Sequence, residues 1–356
     1  MMYGADYDND TSLWCDQHAT PRTSCGCDHG PHRLNQRIVN GTWLDAQTWP
    51  DVNYFVPGIW AEGYTVFVGP PKAGKSWLIL DTLLAVAAGQ PALGHLPTST
   101  PTPVLYFALE DGYRRLQKRA RMLRPGQPIP GNLHVITETD PALSIKAHME
   151  HYLETIPDLR IIVIDTLAKV MEPARTGETT YERDYRIGGT LKQICADHPD
   201  INLTVVHHNR KTTSGDFVDA VSGTNGVAGS ADTIITLQRE RFSDNGLLSV
   251  TGRDIEENQY AISMHGGCQW TLDGETLDQA ALAAEQRRHN IKTSNLAPDQ
   301  QRIVDYVNRA GAGVRPADVA DHLGWDVGKT GLYMRRLVDG GYIDKLGARG
   351  MYGPRQ

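Results

Sequence analysis

No apolar run in this chain approaches the roughly 18 residues that a membrane-spanning helix needs. The opening Met-Met-Tyr-Gly-Ala-Asp-Tyr-Asp-Asn-Asp has neither the basic nor the apolar region of a secretory signal. The expectation is a cytoplasmic protein with no membrane partner. Positive charge is also short: 35 Lys and Arg against 42 Asp and Glu give a formal net charge of −7. That excludes a basic surface over the whole protein and confines any nucleic-acid contact to local patches. One such patch lies between Val327 and Gln356, where six Lys/Arg stand against two Asp. Cysteines number only five, and three crowd into Cys15-x-x-His18…Cys25-x-Cys27, followed by His29 and His32. This spacing fits no standard zinc finger, so a small Zn²⁺ site on Cys15, His18, Cys25 and Cys27 and a reduced-thiol tail both stay open. Cys195 and Cys268 read as packing residues.

What is present begins with 40% apolar residues in a chain of 356, enough to bury a sizeable core in one large domain or two. The organising stretch is Tyr64-Thr-Val-Phe-Val68, a β-branched and aromatic strand that runs into Gly69, Pro70, Pro71, Lys72, Ala73, Gly74, Lys75 and Ser76. A strand, a glycine turn ending in Gly-Lys-Ser, and an apolar helix opened by Trp77 form a phosphate-binding loop. The glycines let the backbone aim N–H groups at phosphate oxygens. Lys75 then reaches the β- and γ-phosphates, Ser76 ligates Mg²⁺, and the helix adds its positive end.

Two further apolar runs close on acids. Leu159-Arg-Ile-Ile-Val-Ile-Asp165 reads as a central parallel strand that delivers Asp165 to Mg²⁺ opposite Ser76. Thr166 follows it, so the carboxylate that orients water must come from another strand end. Val104-Leu-Tyr-Phe-Ala-Leu109 ends at Glu110-Asp111, which makes Glu110 the candidate base, with Asp111 next. Gly112 to Leu123 reads as a helix with six Lys or Arg on it or just beyond, the last being Arg124, which make a solvated face or an interface or DNA contact. A third strand, Asn202 to Val206, ends in His207-His208-Asn209-Arg210-Lys211. One histidine is placed to read the γ-phosphate, and Arg210 opens a glycine-rich loop to Gly229. Ala231 to Leu237, Gly246 to Arg253 and Tyr260 to Met264 read as further strands. Trp43 to Trp60 reads as an irregular lead-in that either covers the sheet or offers aromatic groups to a base or a neighbouring subunit.

In that order, GPPKAGKS, LYFALEDG, RIIVIDTL, VVHHNRK, VSGTNGVAGSADTIITL and LSVTGRDIEE resemble the RepA-type replicative helicase family of plasmids and phages, within the RecA/DnaB-like ATPases. The resemblance spans about Arg37 to Leu272. It implies a hexameric ring of RecA-like domains that uses ATP and Mg²⁺. It implies Glu110 as catalytic base, His208 as γ-phosphate sensor with His207 as rival, and Arg253 as a finger donated to the neighbouring subunit. Arg210, Lys211, Thr224 and Asn225 would face single-stranded DNA. Partners implied are that DNA, further copies of the chain, and a replication initiator or primase.

After a charged helix near Glu275 to Asn290, the tail reads as three helices and a two-stranded wing. Val327 to Val338 is its recognition helix, with Lys329, Thr330, Arg335 and Arg336 toward DNA and Arg349 in the wing. Docking to a protein is the other reading of this module. The fold class expected is α/β, a RecA-like P-loop NTPase core with a twisted, mostly parallel sheet plus a small C-terminal winged helix. The organisation expected is a polar extension over 1–37, the ATPase core over 38–274, a helical linker over 275–297 and the winged helix over 298–356. The function expected is an ATP-hydrolysing DNA motor, a helicase or single-stranded DNA translocase. The alternatives are a RecA-like recombination mediator and an ATP-gated, sequence-specific DNA-binding regulator.

Overall fold

The computed structural model describes residues 14–15, 20–21, 38–208, 225–239, 242–294, 296–311, 313–347 and 350–355, with only the backbone at 14–15, 20–21, 208, 225, 289 and 291–294. It divides into two compact units, Met1–Asp51 and Val52–Gln356. In the first, β1 (Trp14–Cys15) pairs antiparallel with β2 (Thr20–Pro21), and α1 (Gly41–Asp45) starts at Asn40, whose side chain caps Trp43 N–H at 2.8 Å. Trp43 and Trp49 meet edge to face at 6.4 Å and both stay exposed.

The second unit opens with a hairpin of β3 (Tyr54–Val56) and β4 (Trp60–Ala61). There follow β5 (Gly63–Gly69), α2 (Lys75–Ala88), β6 (Val104–Ala108), α3 (Tyr113–Leu123), β7 (Leu133–Ile136), α4 (Ile145–Thr155), β8 (Ile161–Asp165), α5 (Thr180–Asp197) and β9 (Asn202–His208). The core ends with α6 (Asn225–Ala228), β10 (Thr233–Arg239), β11 (Asn245–Gly252), β12 (Asn258–His265) and β13 (Gln269–Leu272). Nine of these strands form one sheet in the order β13-β12-β11-β10-β5-β9-β8-β6-β7. From β10 to β7 the pairing is parallel, and β11, β12 and β13 extend it antiparallel. This is an α/β fold with a mostly parallel central sheet.

The apolar runs that predicted central strands are buried on both faces, because βαβ crossovers lay helices on each side. Phe67, Val163 and Val206 pack with α2 and α3, whereas Val66, Ile164 and Val205 pack with α4 and α5. The hairpin covers the α2 face. Trp60 is buried there against Phe67, and its indole N–H donates to Thr204 Oγ1 at 2.9 Å. Thr204 donates to Asn202 Oδ1 at 2.6 Å, and Asn202 Nδ2 donates to Ala61 O at 2.7 Å and Thr65 Oγ1 at 2.9 Å. This buried network pins β4, β5 and β9 in register, since each member left unmatched would cost about 1–3 kcal/mol. The aromatic lead-in is thus two things: Trp60 covers the sheet, whereas Trp43 and Trp49 present their rings to solvent.

Beyond the sheet, α7 (Leu277–Ser294) is docked along it rather than free. Ala280 and Ala284 are buried, and Arg287 donates to Gly246 O at 2.7 Å and Ile262 O at 2.9 Å while pairing with Asp273. Then α8 (Pro298–Ala310), α9 (Pro316–Leu323) and α10 (Val327–Asp339) surround their own apolar cluster with the antiparallel pair β14 (Ile343–Lys345) and β15 (Tyr352–Pro354). No helix among the described residues is long and apolar enough to cross a membrane.

Candidate functional site

The turn after β5 holds the shape a phosphate cradle requires. Lys72 and Gly74 adopt positive φ, 65° and 102°. A side chain at Gly74 would also stand 2.6 Å from Met264 Cε and 3.1 Å from Trp270, so glycine is required there. From Gly74 the chain enters α2, whose first turn directs backbone N–H groups out of the helix end. Lys75 is 5% exposed, and its Nζ donates to Gly69 O at 2.6 Å and Pro70 O at 3.0 Å. Burial lowers its ammonium pKa to about 8, and the nearby Asp165 and Glu110 carboxylates partly offset this. Ser76 is half-buried one residue further on.

Strand register brings the acids to the same edge. Ala108 of β6 lies beside Asp165 of β8, and Asp165 is buried and accepts from Tyr106 Oη at 2.9 Å. The Asp165–Thr166 peptide is cis. Glu110 is exposed two residues past the end of β6. Asp111 is instead drawn into its own helix by Arg115 at 2.9 Å and by Arg119, whose guanidinium also lies 4.9 Å from the Trp77 ring centroid. A serine hydroxyl and a buried carboxylate are hard oxygen donors that fit Mg²⁺.

On β9, His207 is in register with Val68 and His208 with Gly69, so both reach the edge of the cradle. Strand alternation puts His207 with Leu203 and Val205, away from α2. The side chain of His208 lies outside the described residues, as do Arg210, Lys211, Thr224, His18, Cys25, Cys27 and Arg349. Only the backbone of Cys15 and Asn225 is described. Among the described residues no group of three or more His, Cys, Asp or Glu forms a metal cluster. Cys195 and Cys268 are buried, and burial pushes the Cys195 thiol up to about 12, as a packing residue requires.

Sequence reasoning missed Arg239. It ends β10 beside the cradle, donates from Nη2 to Lys72 O at 3.2 Å, and lies 5.8 Å from the Trp270 ring. The Trp270 indole in turn donates to Gly74 O at 3.2 Å. An open cleft of about 360 Å³ adjoins them, lined by Pro70, Gln238, Arg239, Asn245 and Arg287. Its place at the end of β10 was legible, but its approach to the cradle was not.

Arg253 sits at the other end of the sheet. Gly252 pairs with Thr233, and Thr233 with Thr65, so Arg253 lies level with Tyr64 at the start of β5, about 16 Å of strand away from Gly69. It pairs with Asp232, at a loose 3.6 Å, and its side chain stays 65% exposed. Asp232 is buried, accepts from Tyr64 N–H at 2.9 Å and pairs with Lys192. In the tail, Lys329 lies over the rings of Trp325 and Tyr333, at 5.1 and 5.4 Å, and 3.5 Å from Asp299. Thr330 is buried, whereas Arg335 and Arg336 are exposed on α10. On α3, Arg124 is held by Leu84 O, Gln90 and Gln127, so the basic run is only partly a solvated face.

Lys75 makes the site pH-dependent. A polyphosphate binds the ammonium form, so nucleotide affinity should fall as pH rises through about 8, by up to about tenfold per unit. Between about 8 and 10.5 the nucleotide-free fold holds fewer protons than the unfolded chain, so its stability should rise across that window. Titrating a fluorescent ATP analogue from pH 7 to 9.5 checks the first effect; a flat affinity would mean that Lys75 stays charged across this range or makes no phosphate contact.

No curated protein matches the chain. Among solved structures, the crystal structure of the RadB recombinase is similar, at 17% identity over 61% of this chain and 91% of that one, with a TM-score of 0.41. The family model AAA_25, described as an AAA domain, matches residues 31–214, more than half of the sequence and all of the cradle, Glu110 and Asp165. The chain belongs to the AAA_25 family of AAA domains.

Proposed function

We propose that this protein hydrolyses ATP to move on single-stranded DNA, as a hexameric replicative helicase or translocase in the cytoplasm. The observation that supports it most is the buried Lys75, set between Asp165 and Glu110 at the edge of a parallel sheet. Lys75 and the first-turn N–H groups of α2 bind the phosphates. Ser76 and Asp165 hold Mg²⁺, which when bound neutralises phosphate charge. Glu110 orients the attacking water and accepts its proton, a role Asp111 is poorly placed for while Arg115 and Arg119 engage it. His208 senses the γ-phosphate, and Arg253 stabilises transition-state charge on a neighbouring subunit.

The stretch from Arg210 to Gly229 faces DNA, with Arg210, Lys211, Thr224 and Asn225 as contacts. Residues 298–356 act as a winged helix with Arg335, Arg336 and Lys329 toward DNA, and a replication initiator or primase is the loading partner. Measuring affinity for single-stranded DNA against salt tests the DNA reading. Replacing Arg210 and Lys211 with alanine should weaken binding and lower the log–log salt slope by about 1.4, since each cation displaces about 0.7 counterion equivalents. An unchanged affinity and slope would move the DNA site elsewhere.

A further inference from the structure

Two large aromatic side chains near the start of α5 are exposed, although their helix has a well-filled buried face. Ile187, Leu191 and Ile194 supply that face, whereas Tyr181 and Tyr185 are 57% and 56% exposed. One helical turn apart, their rings stack at 6.3 Å with planes 22° from parallel. We infer that Tyr181 and Tyr185 form a stacking platform for the bases of single-stranded DNA, an inference that rests on the DNA-motor reading above.

Three observations support this occupant. First, the platform is built firmly. Thr179 and Glu182 form a reciprocal capping box at the start of α5, and Arg186 bonds Glu178 at 2.8 Å and Glu172 at 2.8 Å across the preceding loop. The Arg186 hydrogen bond to Glu178 holds that carboxyl below the usual carboxylate range. Second, the carrier helix is the next one after the acid-bearing strand: 15 residues separate Asp165, which ends β8, from Tyr181 in the first turn of α5. Third, α6, where the proposed DNA-facing stretch re-enters the described fold, packs on this turn. A side chain at Gly226 would stand 2.6 Å from Tyr185 N and 2.8 Å from Tyr181 O, so only glycine permits the approach. Flat, uncharged rings accept any base face, whereas the paired acids and arginines around them supply little net charge. The platform therefore adds base-dependent rather than phosphate-dependent affinity.

The test compares oligo(dT) with an abasic oligonucleotide of equal length, by fluorescence anisotropy with the full chain at fixed salt. Wild type should prefer oligo(dT). The Tyr181→Ala/Tyr185→Ala variant should lose about tenfold or more of its oligo(dT) affinity while its abasic affinity stays, because only stacking is removed. Tyr181→Phe/Tyr185→Phe should keep the preference, since the ring and not the hydroxyl acts. Wild type that binds both oligonucleotides equally leaves the motor reading intact and overturns this inference. So does an alanine pair that keeps the preference, or one that loses abasic binding to the same degree. Wild type that binds neither overturns both readings.

Discussion

Lys75→Ala should lower ATP turnover by about 10³-fold and weaken nucleotide binding, while Glu110→Gln should lower turnover by about 10²- to 10⁴-fold and leave binding intact. The two effects separate because the groups do different work. Lys75 is a buried cation at the root of α2, and its removal takes charge from the phosphates in ground and transition states alike. Glu110 is exposed past β6, and in the proposed role it acts only where water is deprotonated. Equilibrium binding of a labelled nucleotide, with single-turnover hydrolysis, distinguishes them. If Glu110→Gln turns over ATP within a few-fold of wild type, the base lies elsewhere and Asp111 is the next residue to replace.

Arg253→Ala should reduce turnover by about 10³-fold in the assembled protein, and the loss should be recoverable by mixing. The geometry rules out service to its own site: Arg253 lies at the opposite sheet edge from Gly69, beyond the reach of any arginine side chain. A catalytic role for it is therefore a role across a subunit boundary. Its hold on Asp232 is loose at 3.6 Å, and Lys192 and Tyr64 N–H also engage Asp232, so withdrawing Arg253 need not strand that carboxylate. Inactive Lys75→Ala subunits keep Arg253, and inactive Arg253→Ala subunits keep the cradle. Mixed assemblies should regain hydrolysis at complementary boundaries. Proven co-assembly without regained activity would leave Arg253 as a structural partner of Asp232.

Much of the site was legible because parallel strands covered on both faces are written as unbroken apolar runs, and the polar residue that ends each run marks the sheet's carboxyl edge. That logic, together with the glycine turn before Lys75, put Lys75, Asp165, Glu110 and the histidine pair at one sheet edge, where strand register also brings them. It failed where residues distant in sequence meet. The approach of Arg239 to Lys72 O and of Trp270 to Gly74 O depends on an antiparallel extension folding back under the cradle, which no local pattern encodes. The pairing of Arg253 with Asp232 likewise comes from β10–β11 register, since the two lie about twenty residues apart in sequence. The charged helix after the sheet read as a linker, because its alanines and Arg287 acquire meaning only against the backbone of β11 and β12. Tyr181 and Tyr185 stood at helical spacing in plain view; their exposure did not.

Strand displacement on a forked duplex tests the central claim most directly. With ATP and Mg²⁺ the full chain should release the displaced strand. It should fail to do so with a non-hydrolysable analogue or as Lys75→Ala. ATP hydrolysis without any displacement, accompanied by a sequence-specific footprint on duplex DNA, would contradict the motor and point to an ATP-gated regulator.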